Sequence, residues 1–334
     1  MNEITATGTK VTQPFHTSKS VTLSDPKNDG QTPLFLDTLA QLAPYTNEVA
    51  VLDDRLLRRA RSKWMTSQIA LPLAELRTEL EKYYRRAYYC CHELIQQGQT
   101  VTGKYCNSRI CYTCNRIRTA KLINGYKKPI GDMSQPMLVT LTRKNVTGDH
   151  LSVTLTEMCN NFRNVLRRNE HRKRYGNALP CYGIRKTEVT YNANRNTFHP
   201  HFHIVTDGRN VSERIVTDWL ELSKGNALRQ AQDIRPVTDD SLLEVFKYAT
   251  KIVTNGKRVV PLDALDVIMQ ALYGRRITQP FGSMRIVSEE VEGLQSDSYP
   301  GLPEYELMQW GWHEHDWING YGECMTGYTP PVDK

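Results

Sequence analysis

The chain has 334 residues, of which 39% are hydrophobic, and carries a formal net charge of +7 with a pI of about 8.9. This length allows one large domain or two modest ones, and the basic balance favours an acidic partner. Nucleic acid fits that partner better than a membrane, because no apolar run is long enough to span a bilayer. The first residues lack the basic-then-apolar pattern of a signal peptide, so we expect a protein of the reducing cytoplasm.

The N-terminal third changes character near residue 50. Residues 1–50 are rich in Thr, Ser, Asn, Asp, Pro and Gly, and we expect a mobile polar tail there. Helical periodicity then runs from Val51 to Tyr89, with basic residues and tyrosines between the leucines. This pattern fits an amphipathic helix pair with solvated charges, a surface for the DNA backbone, or both. We therefore predict a basic helical and cysteine-rich region over residues 51–131.

Five of the eight cysteines are clustered and follow these helices: Cys90, Cys91, Cys106, Cys111 and Cys114. Clustered cysteines without a secretory signal favour metal binding over disulfides. The Cys111-x-x-Cys114 pair brings two thiolates to one ion, and Cys106 adds a third. We take Cys91 as the fourth ligand, with Cys90 or His92 possible in its place. This spacing predicts a structural Zn²⁺ that folds a small element, and the alternative is a set of reduced structural cysteines.

Three of the nine histidines lie within a stretch of five residues, inside the segment 198–205, which reads FHPHFHIV. Alternation along a strand places His199, His201 and His203 on one face, with apolar side chains on the other. Two neutral imidazoles at i and i+2 suit one divalent metal. Glu188 lies in a strand-like stretch upstream, and the turn-rich link between the stretches predicts a hairpin that adds its carboxylate as a third ligand. The alternative is a histidine-rich surface strand without a ligand.

A short helix is predicted over residues 239–252. Glu244 and Tyr248 are four residues apart and Lys251 follows three later, so the three share one helical face. A tyrosine flanked by a carboxylate and an ammonium has the neighbours that a phosphoryl-transfer nucleophile needs, although an ordinary helix surface has the same spacing. From residue 293 the chain becomes acidic and aromatic, and we expect an acidic aromatic C-terminal tail over residues 293–334.

These motifs resemble, in content and order, those of the single-tyrosine rolling-circle replication initiators of bacterial plasmids, which are HUH endonucleases. The motifs that carry the resemblance are Val139-Thr140-Leu141-Thr142, His199-Pro200-His201-Phe202-His203 and Glu244-x3-Tyr248-x2-Lys251. The segment from Cys106 to Cys114 resembles the cysteine segment of one branch, with Tyr112 where that branch usually has proline. The resemblance covers residues 90–290 and leaves the two ends of the chain unassigned.

The resemblance implies an α+β fold in which helices pack on a central antiparallel sheet, the ferredoxin-like palm of an HUH nuclease. The helical and zinc-binding segment would precede this nuclease domain, which would span residues 132–292. Its substrate would be plasmid origin DNA, at a hairpin or a single-stranded nick site. Mg²⁺ or Mn²⁺ would bind to His201, His203 and Glu188, with His199 supporting these ligands from outside the set.

The same resemblance assigns roles to the tyrosine motif. Tyr248 would attack the scissile phosphate, leaving a 5′-phosphotyrosine and a free 3′-OH that primes a host DNA polymerase working with a host helicase. Lys251 would orient the phosphate or the metal environment. Glu244 would act as general base on water, or on a second strand end, during termination.

Two other classes of function compete with this interpretation. A relaxase or a transposase of the same superfamily uses the same chemistry, but relaxases usually carry the tyrosine before the histidine motif. The transposases that share the present order are usually much shorter and lack the cysteine segment. A non-enzymatic zinc-containing DNA-binding regulator would explain the basic charge and the cysteines, but not Glu244, Tyr248 and Lys251.

Overall fold

A computed structural model of the chain describes residues 51–97, 100–238, 245–246, 253–254, 257–258, 260–291, 297–298 and 305–331. The predicted polar tail over residues 1–50 lies outside these residues. Within them the chain is a mixed α+β fold with two five-stranded antiparallel sheets and helices packed on them, which confirms the predicted fold class. No helix in this described part is long and apolar enough to cross a membrane.

The helices are α1 (Val51–Glu75), α2 (Glu81–Tyr88), α3 (Tyr112–Gly131), α4 (Gly148–Lys173), α5 (Arg209–Leu222) and α6 (Leu262–Leu272). The first six strands are β1 (Glu93–Gln97), β2 (Thr100–Gly103), β3 (Pro136–Thr142), β4 (Gly183–Asn192), β5 (Thr197–Asp207) and β6 (Asp233–Pro236). The later strands are β7 (Val253–Thr254), β8 (Lys257–Arg258), β9 (Thr278–Phe281), β10 (Asp297–Ser298), β11 (Tyr305–Gly311) and β12 (Asp316–Ile318). Strands β7 and β8 pair with each other as a separate two-stranded ribbon.

The central sheet has the strand order β6-β3-β5-β4-β9. Strands β4 and β5 form the predicted hairpin, in which Glu188 lies opposite His201 and Lys186 lies opposite His203. Strand β3 pairs with the other edge of β5 and brings Thr140 opposite His203. Because directly paired residues point to the same side of an antiparallel sheet, these polar side chains share one face.

The opposite face of the central sheet is mainly apolar and packs on α4 and α5. Its buried side chains include Val139, Leu141, Phe202 and Ile204, which meet Met158, Phe162 and Val165 of α4 and Ile215 and Trp219 of α5. Each of these fully buried side chains stabilises the fold by about 1.5–3 kcal/mol relative to an exposed one. The alternation of large apolar and polar residues in β3 and β5 therefore fixes which face carries the polar site.

The polar face is itself divided into an apolar end and a polar end. At the apolar end, Leu138, Ile184 and Val205 pack against Leu122, Tyr126 and Ile130 of α3. Thr140, Lys186 and His203 are the next residues on the same face, each two positions along its strand from Leu138, Ile184 and Val205. Helix α3 therefore packs on the apolar end of this face, and the polar end adjoins it.

The second sheet joins the cysteine-rich region to the C-terminal region, with the order β10-β2-β1-β11-β12. The sequence predicts a tail over residues 293–334, but Tyr305–Gly311 and Asp316–Ile318 are strands, and β11 pairs with β1. The physical reason is burial: Met308, Trp310 and Trp317 enter the same core as the cysteines and α1. Strands β1 and β2, which precede the central sheet in sequence, thus share one sheet with β10, β11 and β12, which follow it.

Candidate metal centres

Glu188, His201 and His203 form one compact group on the polar face of the central sheet. Each offers a ligand atom, and these atoms all lie within 4.8 Å of one another. All three side chains are buried, and His203 Nε2 lies 3.6 Å from Glu188 Oε2. The cross-strand pairing of Glu188 with His201 creates this arrangement, because it holds the carboxylate and the imidazoles on adjacent strands. The structure thus brings together the three residues that the sequence predicts as ligands.

The strands also orient the two imidazole rings. His201 Nδ1 lies 3.1 Å from the backbone carbonyl of His199, and His203 Nδ1 lies 3.3 Å from Thr140 Oγ1. A ring that donates its Nδ1 hydrogen to such an oxygen carries its lone pair on Nε2. The Nε2 atom is the nitrogen that His203 directs at Glu188. This is the hydrogen-bonding pattern that prepares histidines to bind a metal.

Lys186 contacts this group, although the sequence motifs did not single it out. Its Nζ lies 3.4 Å from Glu188 Oε2, and both side chains are buried. Burial alone would raise the pKa of Glu188, but the charges of Lys186, His201 and His203 hold that pKa below its ordinary value. Glu188 is therefore ionised at neutral pH. The period-two spacing of Lys186 and Glu188 was the available signal, because it puts both on one face of a strand.

His199 lies beside the group of three but outside it. Its ring centroid is 5.3 Å from that of His201, and it pairs across the sheet with Thr190 rather than with Glu188. Burial, followed by the charge of His201, lowers the pKa of His199. The structure therefore places His199 next to the group, and the supporting role that the resemblance implies for it stays a prediction.

Glu244, Tyr248 and Lys251 of the predicted tyrosine motif lie outside the described residues. The structure does describe Val245 and Phe246, which are helical and buried at the apolar end of the polar face. Phe246 stacks on Tyr126 with ring centroids 5.9 Å apart, and Thr119 Oγ1 donates a hydrogen bond of 3.1 Å to the Phe246 carbonyl. Helix α3 therefore anchors Phe246 onto the sheet face that carries the histidines.

A second group is made by Cys90, Cys106, Cys111 and Cys114, whose sulfur atoms all lie within 4.8 Å of one another. Cys111 is the N-cap of α3, and its Sγ accepts a hydrogen bond of 3.4 Å from the Cys114 amide. The Cys106 amide likewise donates to Cys90 Sγ, and the Ser108 amide donates to Cys106 Sγ. Backbone N–H groups directed at sulfur stabilise thiolates, which are the form that binds a metal.

The fourth position of this group belongs to Cys90, the residue that the sequence left as an alternative to Cys91. Cys90 Sγ lies 3.6 Å from Cys114 Sγ, whereas Cys91 lies outside the group with its Sγ 3.8 Å from that of Cys90. Cys91 has a φ of 52°, which turns the backbone between two consecutive cysteines. That turn separates their side chains, so Cys90 replaces Cys91 as the candidate ligand.

The sulfur atoms of the four cysteines lie close enough to hydrogen-bond to one another, and these contacts shift the pKa values of their thiols. Burial would raise the pKa of Cys111, but hydrogen bonds from Cys106, Cys114 and Cys90 hold that pKa below its ordinary value. The hydrogen bond to Cys111 in turn raises the pKa of Cys106. A divalent cation would replace the shared protons, because metal binding to thiols releases them.

Lys63 of α1 contacts the backbone next to the cysteine group. Its Nζ donates to the carbonyls of Cys90 at 2.8 Å and Tyr88 at 3.1 Å, and lies 5.0 Å from the centroid of the Trp312 ring. Burial lowers the pKa of Lys63, while the nearby cysteines oppose that shift. This buried cation ties α1 and the C-terminal aromatic residues to the cysteine group.

The two groups fit different metals. Four cysteine sulfurs within one small element are a ligand set for tetrahedral Zn²⁺. Two imidazoles and one carboxylate leave coordination positions open and suit a divalent ion that accepts mixed nitrogen and oxygen ligands, such as Mn²⁺. Mg²⁺ prefers oxygen ligands, so the histidines favour Mn²⁺ over Mg²⁺ on chemical grounds.

Fold and site together define an α+β protein with a cysteine group beside a sheet that carries a His-His-Glu group. Residues 97–207 match the Rep_1 family model, described as "Replication protein". The chain is 23% identical to a protein named "Protein rep" from Bacillus amyloliquefaciens, over 86% of this chain and 97% of that protein. It is 29% identical to a "Protein rep" from Staphylococcus aureus, over 49% of this chain and 76% of that protein.

A third "Protein rep", from Streptococcus pneumoniae, is 30% identical over 48% of this chain and 54% of its own length. The predicted resemblance to plasmid replication initiators is confirmed by these matches, and its finer assignment to the HUH endonucleases stays a prediction. The range matched by the family model contains Glu188, both histidines and three of the four grouped cysteines. No solved structure matches the chain.

Proposed function

We propose that this protein initiates rolling-circle replication of a plasmid by nicking one strand of the origin. The observation that carries the proposal is the group of Glu188, His201 and His203, whose ligand atoms lie within 4.8 Å of one another. The similarity to replication proteins supports it. The HUH nuclease domain is proposed to span residues 132–292.

Metal binding is the first element of the proposed mechanism. His201 and His203 would bind through Nε2 and Glu188 through its carboxylate, with Thr140 and the His199 carbonyl holding the rings. When bound, Mg²⁺ or Mn²⁺ would polarise the scissile phosphate and stabilise negative charge in the transition state. Because Glu188 is already ionised, the site would need no proton release from this ligand.

Tyr248 is the proposed nucleophile. Its hydroxyl oxygen would form a bond to the scissile phosphorus and lose its proton, while the bond to the 3′-oxygen breaks and that oxygen takes a proton. The products would be a 5′-phosphotyrosine and a free 3′-OH. Tyr248 is two residues beyond Phe246, which packs one step along the sheet from the histidine site. This anchoring supports delivery of the tyrosine to the polar end of the same face.

Glu244 and Lys251 are proposed to share the helical face of Tyr248. Lys251 would orient the phosphate or the metal environment, and Glu244 would act as general base on water, or on a second strand end, after the strand has been replicated. Glu244→Ala should therefore still form the Tyr248 adduct but release it slowly. Equal loss of cleavage and release would show instead that Glu244 has a general active-site or structural role.

The cysteine group is proposed to hold one structural Zn²⁺ that fixes the element between α2 and α3. This element carries basic side chains and joins the second sheet, so we propose that it binds the duplex part of the origin. The free 3′-OH would be extended by a host DNA polymerase behind a host helicase. These steps would take place in the cytoplasm, where plasmid DNA replicates.

The test is a cleavage assay on single-stranded origin DNA with Mn²⁺, using wild type, Tyr248→Phe and Tyr321→Phe. Tyr321 is 87% exposed and distant in sequence from the motif, so Tyr321→Phe is the matched control. We expect Tyr248→Phe to lose the covalent adduct while it keeps binding to duplex origin DNA. Cleavage by Tyr248→Phe at the wild-type rate would refute the nucleophile. Tight origin binding without cleavage by the wild type would favour a non-enzymatic regulator.

A further inference from the structure

Lys186 stands on the polar face of β4, and none of the sequence motifs includes it. It lies opposite His203 on β5 and opposite Thr278 on β9, so it occupies the middle of the sheet rather than an edge. Its side chain is only 2% exposed, and its Nζ lies 3.4 Å from Glu188 Oε2. A buried ammonium therefore contacts the carboxylate that is proposed to bind the metal.

One carboxylate oxygen is placed between two cation positions. Glu188 Oε2 lies 3.4 Å from Lys186 Nζ and 3.6 Å from His203 Nε2. A divalent ion between His203 and Glu188 would bind the same oxygen that the ammonium already contacts. Two cations at one oxygen repel each other, and the low dielectric of a buried site strengthens that repulsion.

The burial of both charges explains why they occur as a pair. A buried ammonium or carboxylate is costly without a partner, and removing one member of a buried pair destabilises a fold more than replacing both. In the metal-free protein Lys186 supplies the positive charge that Glu188 requires. When a metal is bound, the metal supplies that charge, and the ammonium becomes a competitor.

We propose that Lys186 is the resident counter-ion of the candidate metal site. It positions Glu188 while no metal is bound and competes with a divalent cation for the Oε2 atom. This inference rests on the proposed role of Glu188, His201 and His203 as metal ligands. Its consequence is that Lys186 keeps the metal-free site ordered but holds metal affinity down, so that nicking responds to the concentration of free divalent cation.

The test uses the full chain and measures Mn²⁺ binding without DNA, so that it is independent of nicking. Melting temperatures and calorimetric titrations with Mn²⁺ would be compared for the wild type, Lys186→Met, Lys186→Arg, Glu188→Gln and the double variant that combines Lys186→Met with Glu188→Gln. Divalent ions would be removed by a chelating resin at pH 8, with the zinc content checked to be unchanged. Arg185→Met is the matched control, because Arg185 is also buried on β4 but faces the Phe202 ring at 4.4 Å on the other side.

We expect Lys186→Met to lower the melting temperature of the metal-free protein by roughly 5–10 °C. Saturating Mn²⁺ should recover at least about half of that loss, and the Kd for Mn²⁺ should fall at least about threefold. Lys186→Arg should resemble the wild type. The double variant should be more stable without metal than Lys186→Met and should bind Mn²⁺ poorly. Arg185→Met should lower both melting temperatures equally.

Two results would overturn the proposal. An equal loss of stability with and without Mn²⁺ would make Lys186 a structural cation only, and weaker Mn²⁺ binding by Lys186→Met would mean that it assists the metal. If Lys186→Met does not fold, a double variant no more stable than Glu188→Gln alone would also reject the pairing. Failure of the proposed metal site gives a different result, because the wild type and Glu188→Gln would then bind Mn²⁺ with the same affinity.

Discussion

Removing the carboxylate of Glu289 should loosen the attachment of the cysteine-rich region to the central sheet. Glu289 Oε2 forms an ion pair of 2.8 Å with Arg109, which lies two residues before Cys111. Its Oε1 accepts a hydrogen bond of 2.6 Å from the Thr278 amide at the start of β9. The backbone carbonyl of Glu289 also accepts a hydrogen bond of 2.9 Å from Arg118 of α3. One residue therefore links the edge of the central sheet to both sides of the cysteine group.

The size of the effect follows from these contacts. Hydrogen bonds to charged groups contribute about 1.5–3 kcal/mol each, but Arg109 is 23% exposed and Glu289 13%, so the lower end applies to the ion pair. Glu289→Gln keeps an oxygen for the Thr278 amide and loses only the charge, at a cost of about 1 kcal/mol. Glu289→Ala also leaves the Thr278 amide without its acceptor, which brings the loss to about 3 kcal/mol.

Urea unfolding of the zinc-loaded chain would measure both variants against the wild type. Glu290→Gln and Glu290→Ala are the matched controls, because the neighbouring Glu290 is exposed, and they should change the free energy of unfolding by less than about 0.5 kcal/mol. Combining Glu289→Gln with Arg109→Met should show a coupling of about 1 kcal/mol. A Glu289→Ala variant that is no more destabilised than Glu290→Ala would refute this prediction.

His201→Ala should abolish metal-dependent nicking, whereas His199→Ala should reduce it less, because His199 lies outside the ligand group. Measuring the nicking rate of both variants against Mn²⁺ concentration would test this, and an equal, complete loss in both would contradict the ligand assignment. The wild type should contain about one zinc per chain, and combining Cys111→Ser with Cys114→Ser should release the zinc and lower the stability of the fold. Wild-type protein that contains no zinc when purified without chelator would contradict this prediction. The pKa of Glu188 is lower in the folded chain than the unfolded value of about 4.3, so its ionisation stabilises the fold above that pH, and this contribution disappears as the pH falls through the folded pKa. Glu188→Gln should remove this acid dependence from a plot of melting temperature against pH, and an unchanged acid limb would contradict it.

The hairpin and its histidine face were predictable because the information is local. A period of two over residues 198–205 decides which side chains share a face, and the turn-rich link decides that β4 pairs with β5. The same holds for the Cys111-x-x-Cys114 pair, since an N-cap and the third residue after it always lie close together. Local spacing therefore predicted most of both candidate metal groups.

Three features depend on contacts that local spacing does not contain. The choice of Cys90 over Cys91 depends on a backbone turn with positive φ at Cys91. The contact of Lys186 with Glu188 depends on burial in the middle of the sheet. The strands within residues 305–318 pair with β1 from the far end of the chain, and their acidic neighbours obscure the alternation of buried residues.

The most direct test of the account is the residue to which DNA becomes attached. The full chain would be incubated with single-stranded origin DNA and Mn²⁺, digested with protease, and the DNA-linked peptide identified by mass spectrometry. We predict one 5′-phosphate linkage, on the peptide that contains Tyr248, and its loss in Glu188→Gln. Attachment at another residue, or cleaved DNA with no attached peptide, would contradict it.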